Sequence, residues 1–176
     1  MLGKNPKLDK EIEEAIKFLV HAIEESGKNP KPVILHSIRV GLYLYQQDYS
    51  KEIVIAGILH DLLEDTEITL DEIKEKFGDK VANFVQVNSF DETIKNKKER
   101  YLDSFTRCLD AGKESLVVKA ADFLDNSHYY HLAQDRKLYQ WLLKKLKHFI
   151  EHSEEVLKNE IAWKELKKQY NLLTKS

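Results

Sequence analysis

Three features of the sequence predict an all-α fold. Apolar residues recur at helical spacing along nearly the whole chain, glycines stand where several of these stretches end, and capping residues stand where others begin. The first stretch carries the stripe Ile12, Ala15, Ile16, Leu19, Val20 and Ile23, and Gly27 closes it. Lys28-Asn29-Pro30-Lys31-Pro32 reads as a loop, with Pro32 placed to open the next helix. That helix runs to Gln47 and carries His36 on the side of Val33, Val40 and Leu44. Ser50 reads as the N-cap of a helix leading into His60–Asp61. Thr69-Leu70-Asp71-Glu72 fits a capping box for a short helix ending at Phe77-Gly78. Val81 to Val87 suits helix or strand, and helix is preferred.

Asp91 to Lys98 is polar and reads as a mobile connection. Tyr101 to Leu109 returns to helical spacing and stops at Ala111-Gly112. Ser115 to Leu124 reads as a buried helix with Asp122 near its end. Tyr139 to Leu157 and Ile161 to Leu173 read as lysine-rich amphipathic helices. The sum is a bundle of about eight or nine helices of ordinary length. Residues 1–176 are read as one domain, with 136–176 as a C-terminal helical extension.

Composition narrows the function classes. The chain has 176 residues, 42% apolar and 33% charged, as a soluble globular domain does. A net charge of -2 argues against a general nucleic-acid or membrane partner, since counterion release needs a basic surface. A small anionic substrate needs only a local positive patch. The lone cysteine, Cys108, excludes a disulfide framework. Met1 to Glu14 has no apolar signal core and no stretch approaches membrane-span length, so the expected location is the cytoplasm.

The chemistry lies in polar residues set among apolar ones: His36, the pair His60–Asp61, and Asp122. Ile53 to Leu59 is an apolar run that gives way at once to His60, Asp61, Glu64, Asp65 and Thr66. Imidazoles with carboxylates are the donor set of a divalent cation, favouring Mn²⁺, Fe²⁺ or Zn²⁺ over Ca²⁺, with Mg²⁺ less favoured. No histidine lies between Asp61 and Asp122, so a single ion is expected. Asp61, Glu64 and Asp65 share one helical face, where Glu64 or Asp65 can orient water or take its proton. Such a cation lowers the pKa of water and neutralises phosphate charge. Taken singly, His36 reads as a core histidine, Asp122 as a cap or half of an ion pair, and Glu64 and Asp65 as a solvated helix end. The grouping carries the argument.

Three blocks of this sequence resemble the HD-domain metal-dependent phosphohydrolases, closest to their guanosine tetraphosphate (ppGpp) hydrolase branch. They are Lys31-Pro32-Val33-Ile34-Leu35-His36, then Ala56 to Thr66 followed by Phe77-Gly78-Asp79-Lys80-Val81-Ala82, and Leu116 to Asn126. The resemblance implies an all-α HD fold with His36, His60, Asp61 and Asp122 as ligands of one divalent ion, usually Mn²⁺. It assigns Glu64 and Asp65 to the nucleophilic water, and Asn126, Lys28 and Lys31 to the substrate. The implied reaction removes pyrophosphate from a nucleotide 3′ position. Two alternatives stand beside it: an HD-type 5′-nucleotidase or phosphatase, and a metal-stabilised binding or regulatory module without turnover.

The departures from the family concentrate in substrate recognition. Gly27 stands where the family has a loop arginine, and Val33 where it has a tyrosine; Phe123 and Asp125 replace an arginine and a histidine of the third block. An arginine plane is a natural stacking surface for guanine. Lys97, Lys98 and Arg100 read as a solvated charged face or as positive charge from another side. Tyr129-Tyr130-His131 reads equally as a base-stacking surface or a packed helix end, and Trp141 and Trp163 as core or interface residues. His148 and His152 are four apart, a spacing known from metal sites, but their lysine-rich surroundings repel a cation. The C-terminal helices suit an intramolecular packing face or a homo-oligomer seam.

Overall fold

The computed structural model describes residues 5–27 and 32–175. Among them are ten α-helices, one short 3₁₀ turn and no strand. In chain order the helices are α1 Pro6–Ser26, α2 Val33–Gln46, α3 Lys51–Leu59, α4 Leu62–Asp65, α5 Leu70–Phe77, α6 Asp79–Asn88, α7 Lys97–Ala111, α8 Lys113–Ser127, α9 Arg136–Leu157 and α10 Ile161–Leu173; the 3₁₀ turn is Tyr130–Leu132. The all-α prediction holds. No helix is long and apolar enough to cross a membrane among the described residues.

Local sequence accounts for most boundaries. Asn5 accepts from the Leu8 amide and Pro6 occupies the first helical turn of α1, while Gly27 takes the left-handed conformation that ends it, at φ 61°. The Thr69 capping box forms in full: the Thr69 hydroxyl accepts from the Glu72 amide at 3.3 Å, and the Glu72 carboxylate accepts from the Thr69 amide at 2.8 Å. Ser50 holds the N-cap position of α3 but makes no side-chain capping bond. Within the stretch read as a mobile connection, α7 already begins at Lys97. The Asn96 carboxamide accepts from the Lys98 and Glu99 amides and starts the helix there.

The centre of the molecule is α3 and α8. Ile53 to Leu59 are all buried, as are Leu116, Val117, Val118, Ala120, Ala121, Phe123 and Leu124. Such all-round burial needs helices on every side, and α1, α2, α6 and α8 all pack against α3. The closest approach is between α2 and α3, where Gly41 faces Gly57. A Cβ on Gly41 would lie 2.2 Å from Ile58 Cγ1, and one on Gly57 2.5 Å from Leu44 Cδ1. Only glycine lets the two backbones come this near, and this contact draws the His36 turn of α2 toward the end of α3. From the other side α10 packs on α8, and Glu165 of α10 and Glu160, the residue before it begins, accept from the Tyr43 and Tyr49 hydroxyls.

One element differs from the simple sequence pattern. The helix read as leading into His60–Asp61 does not continue into the face that carries Asp61, Glu64 and Asp65: α3 ends at Leu59 and α4 starts at Leu62. His60 and Asp61 form the turn between them, with Asp61 at φ -93°, ψ -5°. That bend turns the side chains of both residues toward α2 and α8.

Candidate metal centre

Each of three helices presents its donors for a different reason. His36 lies in the first turn of α2 and is 8% exposed. His60 and Asp61 occupy the bend after α3. Asp122 stands two-thirds of the way along α8, between the core residues Ala121 and Phe123. The ring nitrogens His36 Nε2 and His60 Nε2 are 3.2 Å apart. An Asp122 carboxylate oxygen lies 3.3 Å from His36 Nε2 and 3.6 Å from His60 Nε2. Asp61 comes within 3.2 Å of His60 Nε2 and 3.8 Å of His36 Nε2. Four residues from three separate stretches of the sequence therefore converge on one point. Among the described residues, His36, His60 and Asp122 are the group of three with ligand atoms all within 4.8 Å of one another.

The far side of each ring settles which nitrogen faces inward. His60 Nδ1 is 2.8 Å from the Gly57 carbonyl, and His36 Nδ1 is 2.7 Å from an Asp125 carboxylate oxygen. Neither partner can donate, so both Nδ1 atoms carry a proton, and each Nε2 faces the carboxylates, holding a proton there in the metal-free chain and offering its lone pair once a cation takes that proton's place. This is the outer hydrogen bonding that metal-ligating histidines ordinarily have. Two ligand atoms about 2.1 Å from a cation and a right angle apart sit about 3 Å from each other, which the Nε2 separation matches.

The electrostatics agree. Burial of the His36 ring opposes its charged form, but the Asp122 and Asp125 hydrogen bonds prevail and lift its pKa to about 10. His60 is raised despite its burial, by the charges of Asp61 and Asp122. Asp122 is held well below the usual carboxylate range: burial works the other way and is overcome by the two histidines. A surplus of negative charge thus draws protons to this point, and a divalent cation would displace them.

Glu64 lies one turn beyond, in α4. Its carboxylate accepts from the Phe90 amide at 2.8 Å. Burial and the Asp61 charge push its pKa up to about 7, against the Phe90 amide and the Lys119 charge. Asp65, next in the same turn, is half-buried. Asn126 is exposed and donates to Asp122. Lys28 and Lys31 lie outside the described residues.

Sequence reasoning missed three contributors. Lys119, 3% exposed, donates to the Asn88 carbonyl at 2.6 Å and the Ser104 hydroxyl at 2.9 Å. It anchors the Asn88–Phe90 segment, whose Ser89 donates to the His60 carbonyl and whose Phe90 amide holds Glu64. A lysine inside an apolar helix was its signal. Arg39 and Asp125 form a two-pronged pair, Nε to Oδ1 and Nη2 to Oδ2, both 2.7 Å. Their signal was helical spacing, one turn after His36 and one turn after Asp122.

A cleft of about 410 Å³ opens beside His36, lined by Leu35, Arg39, Asn126, Tyr129 and Leu132 among others. Leu35, Tyr129 and Leu132 are exposed, at 53%, 48% and 66%. The aromatic run therefore divides: Tyr130 is packed in the core and Tyr129 faces the cleft. Trp163 is buried, and Trp141 packs edge-on against Tyr101. The departures from the family pattern also find physical reasons. Gly27 is the left-handed helix cap, Val33 is fully buried, and Phe123 packs edge-on against Phe149 in the core.

Residues 15–145 match the HD domain family, and the chain belongs to it. The family implies a divalent metal, and the donors gathered here fit one. The chain is 35% identical over 130 residues to the guanosine-3′,5′-bis(diphosphate) 3′-pyrophosphohydrolase of Aquifex aeolicus (strain VF5), an overlap of 72% of this chain and 18% of that protein. It is 29% identical over 106 residues to the bifunctional (p)ppGpp synthase/hydrolase SpoT of Escherichia coli K12, covering 59% of this chain and 15% of that one. The matched part is thus less than a fifth of these relatives' length. In fold, the chain superposes on a solved metazoan ortholog of SpoT, described as hydrolysing ppGpp, with TM-score 0.79 and 17% identity over 92% of this chain and 94% of that one. The Listeria monocytogenes EGD-e protein lmo0812 gives TM-score 0.69 with 27% identity over 80% of this chain and 99% of that one.

Proposed function

We propose that the chain is a metal-dependent phosphohydrolase acting on a nucleotide, of the kind that removes pyrophosphate from the 3′ position of ppGpp. The observation that carries this reading is the convergence of two Nδ1-locked imidazoles with the carboxylates of Asp61 and Asp122, beside a half-buried Glu64. His36, His60, Asp61 and Asp122 hold the ion, and nitrogen and oxygen donors in equal number suit Mn²⁺. When bound, the cation supplies Lewis acidity toward a phosphoryl oxygen and toward water.

The chain's own groups do the rest. Glu64, with a pKa near 7, is partly ionised at neutral pH and takes the proton of the attacking water. Asp65, one residue on, orients that water. The water oxygen bonds to the phosphorus on the nucleotide 3′ oxygen, the bond to that oxygen breaks, and the proton ends on the nucleoside. Asn126 contacts the nucleotide from the cleft edge, Lys28 and Lys31, which precede α2 in the sequence, supply positive charge, and the Leu35–Tyr129 side of the cleft covers the face of the base. The relatives named as ppGpp hydrolases support this substrate.

A second reading is favoured by one observation: Gly27 and Phe123 are committed to a helix cap and the core, which removes the arginine surfaces for guanine. On that reading the same centre dephosphorylates 5′-nucleotides. Elemental analysis followed by a nucleotide panel with Mn²⁺ separates the two. Pyrophosphate release from ppGpp supports the first, orthophosphate from 5′-monophosphates the second, and metal content with no turnover supports a binding module.

A further inference from the structure

Helices α2 and α8 face each other with two residues apiece, one turn apart: His36 and Arg39 on α2, Asp122 and Asp125 on α8. The four interlock. His36 Nε2 meets Asp122 at 3.3 Å and His36 Nδ1 meets Asp125 at 2.7 Å. Arg39 grips both Asp125 oxygens at 2.7 Å, and its guanidinium lies 5.2 Å from the Tyr129 ring centre. The planar fork leaves Asp125 one orientation. The Asp125 side chain is 14% exposed, so water competes little for its oxygens. Asp125 is one of the positions where the third block departs from the family pattern, so the arrangement was not implied by the resemblance.

We propose that Asp125, clamped by Arg39, is the positioning residue that locks His36 with its Nε2 lone pair toward the metal. Arg39 acts only through Asp125. The inference rests on the metal-centre reading above, and it concerns affinity for the ion rather than the choice of substrate. Without Asp125 the ring is free to turn or to place its proton on Nε2, and the donor is lost for part of the population.

The test is calorimetric titration of the purified chain with Mn²⁺ alone, without any nucleotide. D125A weakens binding about 10- to 100-fold, as removal of a histidine's outer partner typically does. R39A weakens it less, and adding R39A to D125A has no further effect. D125N keeps an acceptor oxygen but loses the charge, and falls between; it decides the matter if D125A does not fold. Nitrogen-15 spectra of the Zn²⁺-loaded chain show His36 protonated on Nδ1, with that signal lost or split in D125A. Wild-type Mn²⁺ affinity in D125A or D125N, or additive R39A and D125A effects, overturns the proposal while the metal centre stands. Failure of the unaltered chain to bind Mn²⁺ or Zn²⁺ overturns both.

Discussion

Among the described residues stand two close pairs of imidazole rings, and they behave in opposite ways. His36 comes from α2 and His60 from the bend after α3, with ring centres 5.1 Å apart and planes at 71°. His148 and His152 are neighbours on α9, stacked at 4.1 Å with planes at 19°. By sequence spacing the second pair has the better metal signature. In the structure the Glu151 charge acts on His148, but among the described residues no carboxylate oxygen stands at ion-pair distance from either ring. His148 Nδ1 shares a hydrogen bond with the Tyr101 hydroxyl at 2.9 Å, and His152 Nδ1 donates to the His148 carbonyl at 2.8 Å. Burial, the facing His152 ring and Lys98 lower the His148 pKa, whereas the carboxylates around His36 raise it to about 10. The charge that surrounds a pair of histidines thus decides whether the pair suits a cation.

The sharpest way to break the contrast is to delete one donor from each pair. H60A or D122A removes Mn²⁺ binding by more than the about 10- to 100-fold typical of an outer partner, while H148A and H152A leave the titration curve unchanged. Equal losses in both sets would erase the distinction. Next in size, E64Q slows nucleotide hydrolysis by about 10²- to 10⁴-fold, the usual worth of a general base, with Mn²⁺ affinity kept. A parallel loss of metal would instead make Glu64 a ligand.

The first pair also depends on the glycine crossing, and the second does not. G57A lowers stability by about 1–3 kcal/mol through overpacking against Leu44 and weakens Mn²⁺ binding as α2 moves off α3. The Tyr101–His148 contact, followed by ring proton shifts, stays as it was. The smallest effect is in pH. In the metal-free chain, His36 has a higher pKa folded than unfolded, so its stabilisation is full below about 6.5 and is lost as pH rises toward about 10. His148 has a lowered folded pKa, so its contribution falls as pH drops below about 6.5. Thermal midpoints of H148Q therefore decline less than wild type on acidification and equally on the alkaline side.

Much of this was legible along the chain. Helical periodicity, the Thr69 box and Gly27 are local matters, governed by hydrogen bonds within a few residues, and they appear in the structure as read. The donors His36, His60, Asp61 and Asp122 could be picked out because a polar group in an apolar run costs free energy unless it meets a partner. The roles of Arg39, Lys119 and Asp125 escaped because helical spacing or a lysine in an apolar helix does not name a partner 86 or 31 residues away. The bend at His60–Asp61 escaped for the same reason, since no glycine or proline marks it.

Composition and pattern alone thus specify an all-helical domain, its caps, and the kinds of donor it carries. Packing chose which histidines became a pair around negative charge. It did so through the Gly41–Gly57 contact, which brings α2 within reach of α3, and through α8, which delivers Asp122 and Asp125 to opposite sides of one ring. The physical reason is range: a helix is settled over a few residues, whereas the charge felt by a ring depends on whatever the fold brings within a few ångströms of it.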